Sequence, residues 1–120
     1  MPQIHRALLA AKVCAYAQGF ALMRAADREY GWGLSFERIA KVWRAGCIIR
    51  AHLLGDIRRA FDAEPQLPNL LVDKHFAHLM QDAQQALRTV VAQAALQGVA
   101  VPAFMSALSY YDAYLSLIHI

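Results

Sequence analysis

Apolar residues recur along this chain at helical spacing, and strand-like alternation of apolar and polar positions is hard to find. From about Gln3 to Tyr30 the chain is Ala-rich, which favours helix and permits close packing. That stretch is apolar on several faces, so it calls for burial by more than one neighbour. Gly31-Trp32-Gly33 ends it. Ser35 can cap a short second helix carrying Ile39, Ala40 and Trp43, and Gly46 breaks the chain again. A third helix is predicted from about Cys47 to Ala63, followed by a loop over Pro65 to Pro68. A short helix is predicted over about Leu71 to His78. The most regular pattern comes next: Met80, Ala83, Leu87, Val90 and Ala94 repeat on one face, while Gln81, Gln84, Gln85, Arg88 and Gln93 fill the other. Gly98 sits where a helix C-cap belongs, and Pro102 opens a last helix that runs to about Tyr114. The fold class is therefore all-α, a bundle of five to six helices joined by short loops. No linker, low-complexity segment or internal repeat divides it.

Composition narrows this picture. A chain of 120 residues is one domain or a piece of one. Its hydrophobic fraction of 58% exceeds the soluble norm of about 45–50% and excludes disorder. With surface so apolar, part of it is expected to meet another domain or subunit. The net charge of +3 is scattered, and the run Asp56-Ile57-Arg58-Arg59-Ala60-Phe61-Asp62 is mixed in sign, unlike a nucleic-acid-binding face. Cys14 and Cys47 form no C-x-x-C pair, which points to reduced thiols of a cytoplasmic protein. Ala7 to Ala26 is the one membrane or export candidate. Lys12 inside it costs about 2.5–3.5 kcal/mol on the insertion scale, so a buried core helix is the better reading.

Candidate chemistry is sparse. No G-x-G-x-x-G follows a strand, so the chain has no dinucleotide cradle of its own. His75-x-x-His78 with Asp82 a turn later has metal-ligand spacing, but no fourth ligand accompanies it, and a solvated polar face is favoured. Cys47 lies between Arg44 and Arg50 in sequence, which would suit a reactive thiol; core packing is favoured for it and for Cys14. Arg50 falls on the apolar stripe Cys47, Leu54, Ile57 and Phe61, and Asp112 on the stripe Met105, Leu108 and Leu115. Each needs a partner there, so Asp112 is expected to pair with Arg50 or Arg44 between helices. The alternative is that Arg50 faces an anionic ligand. Tyr110, Tyr111 and Tyr114, with Trp43 and Phe104, are expected in the core or at an oligomer interface.

One resemblance covers nearly all of residues 7–114. It begins with Ala11-Lys12-Val13-x-Ala15-Tyr16-Ala17-Gln18-Gly19-Phe20, Leu22-Met23-Arg24-Ala25-Ala26 and Glu29-Tyr30-Gly31-Trp32. Its most distinctive stretch is Ile39-Ala40-x-x-Trp43-Arg44-x-Gly46-Cys47-Ile48-Ile49-Arg50, followed by Leu54-Gly55-x-Ile57 and Ala60-Phe61. It resumes at Pro68-Asn69-Leu70-Leu71 and ends with Gly98-Val99-x-Val101-Pro102-Ala103-Phe104 and Ala107-Leu108-Ser109-Tyr110-Tyr111-Asp112-x-Tyr114. In these segments the chain resembles the decarboxylating 6-phosphogluconate dehydrogenases.

The resemblance implies a cytoplasmic enzyme of the pentose phosphate pathway and gluconate utilization. It converts 6-phosphogluconate to ribulose 5-phosphate and carbon dioxide while reducing NADP. It further implies an N-terminal Rossmann domain that binds the cofactor and a helical C-terminal domain that builds a homodimer, of which this chain is a central part. The family's general-base lysine and general-acid glutamate lie upstream of the matched segment, and the partner-subunit arginine and histidine of its substrate site lie downstream. No catalytic, cofactor-binding or metal residue is therefore assigned to this sequence. Ala45 stands where a second glycine before the cysteine is usual, and Leu115-Ser116-Leu117-Ile118-His119-Ile120 does not follow the family. The expected organisation is a partial domain over residues 1–114 and an unmatched tail over 115–120, truncated at both ends and inactive alone. A free-standing helical interaction module derived from that domain is the competing expectation. Neither nucleic acid nor membrane is an expected partner.

Overall fold

The computed structural model describes residues 2–46 and 52–118. Among the described residues five α-helices follow one another: α1 (Pro2–Tyr30), α2 (Phe36–Gly46), α3 (His52–Ala63), α4 (Lys74–Gln97) and α5 (Pro102–Ile118). A 3₁₀ turn at Leu70–Val72 precedes α4. No strand occurs among the described residues.

The core is organised by α1. Ala7, Ala10, Cys14 and Ala17 are all fully buried and spaced three and four apart, with Val13 and Phe20 extending the stripe. On α4, Phe76, Met80, Ala83 and Leu87 repeat the same spacing and are buried to the same degree. Two narrow apolar seams of this kind pack helices side by side, and the alanines let the backbones approach closely. α1 and α4 accordingly form the most extensive helix pair, with α5 and the 3₁₀ turn also against α1.

The helix ends follow local chemistry. Gly31, at φ 65°, ends α1 in the left-handed region, its N–H donating to the Asp27 carbonyl at 2.7 Å. Gly98, at φ 71°, does the same for α4, its N–H donating to the carbonyls of Ala94 and Ala95. Pro2 opens α1 and Pro102 opens α5, where a missing N–H costs nothing. The Ser35 hydroxyl accepts from the Arg38 N–H at 3.5 Å as α2 begins.

Two boundaries differ from the sequence expectation, and a third is not described. The separate helix predicted over Leu71 to His78 is a 3₁₀ turn followed by the first turns of α4, which runs unbroken to Gln97. The reason is Asp73, whose carboxylate accepts from the Phe76 N–H at 3.2 Å and starts the long helix there. No glycine or proline separates His78 from Met80, so nothing stops it. The last helix continues past Tyr114 to Ile118. The third helix is described from His52, and its predicted start at Cys47 lies outside the described residues.

α2 and α3 pair with each other and dock on α1 through aromatic rings. Phe20 of α1 meets Phe61 at 5.1 Å, Trp43 at 5.3 Å and Phe36 at 5.7 Å between centroids. Edge-to-face and tilted contacts of this size add about 0.5–1.5 kcal/mol each beyond the area they bury. No described helix is long and apolar enough to cross a membrane. The Ala7 to Ala26 stretch buries one face in the bundle and leaves Leu8 and Leu22 exposed on another.

Candidate functional site

The polar side chains that the fold buries or half-buries serve mainly as joints between elements. Asn69 is a buried polar residue at only 3% exposure. Its Oδ1 accepts from the Leu71 N–H at 2.9 Å, which shapes the 3₁₀ turn. Its Nδ2 donates to the Tyr110 hydroxyl at 2.8 Å, which ties that turn to α5. Arg24 lies over the Phe36 ring at 4.6 Å and donates to the Pro65 carbonyl at 3.1 Å, holding the loop before the turn.

Asp112 has a partner, but not a predicted one. It receives both terminal nitrogens of Arg88, with Nη1 donating to Oδ2 at 3.0 Å, while Arg88 Nε donates to Gln84 Oε1 at 2.6 Å. This fork joins α4 to α5, and the paired carboxylate pushes the Arg88 pKa up from its usual range. The predicted alternative of Arg44 is overturned: its Nη1 lies 3.4 Å from the point where a Cβ at Gly55 would stand, on the α2–α3 pair. Arg50 and Cys47 lie outside the described residues. The pattern places Arg88 on the polar face of α4, with Gln81 and Gln84. α5 packs along the edge of that face.

The His75, His78 and Asp82 spacing does not assemble a cluster. His75 Nε2 turns to Asp56 Oδ2 at 3.3 Å on α3, and Asp82 Oδ2 receives Arg6 Nη1 at 2.7 Å from α1. Cys14 sits at zero exposure in the α1 seam, where burial first and then Asp112 push its pKa from 9.0 up to about 12. The thiol is thus held neutral and is no nucleophile. Trp43 packs on Phe20 and lies 6.4 Å from Tyr16, yet remains 38% exposed.

Two recesses lie beside α1 on the described surface. One, of about 340 Å³, lies between α1 and α5 and is lined by Leu8, Ala11, Lys12, Ala15, Phe104 and Ala107 among others. The second, of about 440 Å³, is lined by His5, Arg6, Leu8, Leu9 and Lys12. Leu8 and Lys12 belong to both. Neither recess holds an acid–base pair of the kind that abstracts a proton from a bound substrate. Nor do the residues fit a dinucleotide: there is no strand among the described residues, and no glycine-rich turn in the sequence, to cradle a pyrophosphate.

Comparison with known proteins gives a consistent result. The family model described as "6-phosphogluconate dehydrogenase, C-terminal domain" matches residues 1–117. The chain is 51% identical over 111 residues to the NADP(+)-dependent, decarboxylating 6-phosphogluconate dehydrogenase of Bacillus subtilis, covering 92% of this chain and 24% of that protein. It is 49% identical over 112 residues to the decarboxylating enzyme of Escherichia coli, covering 93% of this chain and 24% of that one. The structure of Plasmodium falciparum 6-phosphogluconate dehydrogenase, described in apo form and in complex with NADP+ and with 6-phosphogluconate, superposes with a TM-score of 0.91 at 32% identity. That superposition covers 94% of this chain and 24% of the Plasmodium chain. The chain thus spans about a quarter of the length of the relatives it matches.

Proposed function

Because this chain belongs to the 6-phosphogluconate dehydrogenase family, as part of its C-terminal domain, we propose that it is the helical scaffold of an NADP-dependent oxidative decarboxylase. The parent enzyme converts 6-phosphogluconate and NADP+ to ribulose 5-phosphate, carbon dioxide and NADPH, in the cytoplasm. The segment supplies packing and homodimer contacts, positions the chemistry carried elsewhere in the parent, and does not turn over alone. The NADP site belongs to the parent's other domain. The boundary proposed at Tyr114, with residues 115–120 as a tail, is one of sequence, since α5 runs through it to Ile118.

The observation that supports this reading best is the pattern of what is buried. Its buried and half-buried polar groups bond one another as joints, and neither recess beside α1 gathers an acid and a base. A scaffold uses polar groups in this way, to fix geometry for chemistry supplied by other segments. Two assays test it. The purified chain mixed with 6-phosphogluconate and NADP+ forms no NADPH, and sustained turnover would contradict the proposal. The Bacillus subtilis relative, with its matching 111 residues replaced by those of this chain, forms NADPH as a dimer. A soluble, folded chimera without activity would equally contradict it.

A further inference from the structure

The α2–α3 pair is fastened to its neighbours by few polar bonds. Arg24 of α1 touches it at both ends, lying over the Phe36 ring at its start and donating to the Pro65 carbonyl just past its end. Toward α4, its one side-chain polar contact among the described residues is His75 Nε2 with Asp56 Oδ2, at 3.3 Å. The Asp56 side chain is three-quarters buried and also receives Arg59 of its own helix. His75 is half exposed on the first turn of α4. Its ring stands edge-on to that of Phe76 at 5.2 Å, and Phe76 is fully buried, so the imidazole is braced from below. The other ionisable groups around the ring come from the same two helices. Asp73 and Lys74 precede it on α4 and His78 follows one turn on, while His52 and Arg59 stand one turn to either side of Asp56 on α3. No charged group of α1, α2 or α5 pairs with it among the described residues.

We propose that His75 and Asp56 form an acid-tightened clamp, which fastens the α2–α3 pair to the start of α4 when the imidazole is charged and lets it loosen when the imidazole is neutral. Histidine is the side chain whose charge changes between about pH 5 and 8. Charged, it gives a carboxylate a charge-assisted bond; neutral, it keeps at most an ordinary one. The sign follows from linkage. The closed contact favours the charged ring, so the fastening is present on the acid side and is lost as pH rises through that range. Phe36 and Phe61 remain docked on Phe20 throughout, so release loosens α3 at its α4 edge without unfolding the bundle. A pair this open to solvent changes such an opening by only about three-fold. The clamp does not depend on the enzyme reading, since both of its groups belong to this chain.

The test is amide hydrogen exchange of the purified chain, read by NMR at about pH 6 and about pH 8 and corrected for the intrinsic exchange rate. Between the two, α3 loses about three-fold in protection while the α1–α4 seam keeps its own. His75→Gln abolishes the difference, and adding Asp56→Asn to it restores none. His52→Gln and His78→Gln leave the difference in place. In the unsubstituted chain the Asp56 carboxyl signal moves over the same pH range as the α3 protection, a readout that needs no variant to fold. Several results would overturn the clamp: α3 protection that ignores pH, a difference that survives His75→Gln, or one that vanishes with His52→Gln or His78→Gln. An equal loss in the α1–α4 seam, or an Asp56 signal that stays fixed over that range, would overturn it as well.

Discussion

The two faces of α1 make the sharpest contrast in the molecule. One face, from Ala7 through Phe20, is closed by α4 and, at its Phe20 end, by the rings of α2 and α3, and every residue of its seam is at most 2% exposed apart from Ala11 at 8%. The other face is also largely apolar, with Lys12 and Gln18 set among Leu8, Ala15 and Leu22, yet Leu8 and Leu22 stand 40% and 70% exposed. Two polar residues alone separate the two faces in composition. The closed face has small residues in strict three-and-four spacing against a helix of the same chain, so its stability is self-contained. The open face has the residue types of a core without a described neighbour to complete it. A helix apolar all round is built to be buried all round, and these two faces show how much of that burial this segment accomplishes by itself.

Substitutions can break that contrast, beginning with the largest effect. Phe76→Ala removes a ring at zero exposure beneath α1 and costs about 3–5 kcal/mol, measured by urea unfolding. A loss under 1 kcal/mol would mean the seam is not closed. The alkaline limb of stability comes next. The Cys14 pKa is raised to about 12 in the fold, so its contribution is fully present below the ordinary thiol value of 9.0 and is lost as pH rises from there toward 12. The melting temperature falls across that window, and Cys14→Ala flattens the fall. Burial raises Tyr111 and Tyr114 too, so a tyrosine contribution in the same direction remains in the variant. Gly98→Ala forces a side chain into the left-handed cap of α4 and costs about 1 kcal/mol, visible as a lower urea midpoint. Leu8→Ala on the open face changes the stability of the isolated chain by no more than about 0.5 kcal/mol. A larger loss there would erase the distinction between the faces.

The sequence carried the helices well because their ends have local causes. Gly31, Gly98, Pro102 and Ser35 each satisfy or delete a terminal backbone group, and each lies where it was expected. Asp73 was legible in principle, since an aspartate three residues before Phe76 is a capping signal. Periodicity alone split α4 instead. The partner of Asp112 was not legible. Period identifies a residue that needs a counter-charge, but which arginine reaches it depends on how α5 crosses α4, a matter of tertiary packing. The Asn69–Tyr110 joint was hidden for the same reason, with 41 residues between its ends. The family, by contrast, was readable from one dense segment around Trp43, whose ring reaches Phe20 and Tyr16 across the helix pair.

As proposed, this segment is an exchangeable scaffold for a decarboxylating dehydrogenase. The most direct measurement is NADPH formation by the Bacillus chimera at saturating 6-phosphogluconate and NADP+, per folded protomer, beside the unaltered enzyme. A kcat within about ten-fold of the unaltered enzyme is expected, because catalytic groups are untouched and only their support is exchanged. A dimeric, cooperatively folding chimera with no detectable NADPH would contradict it.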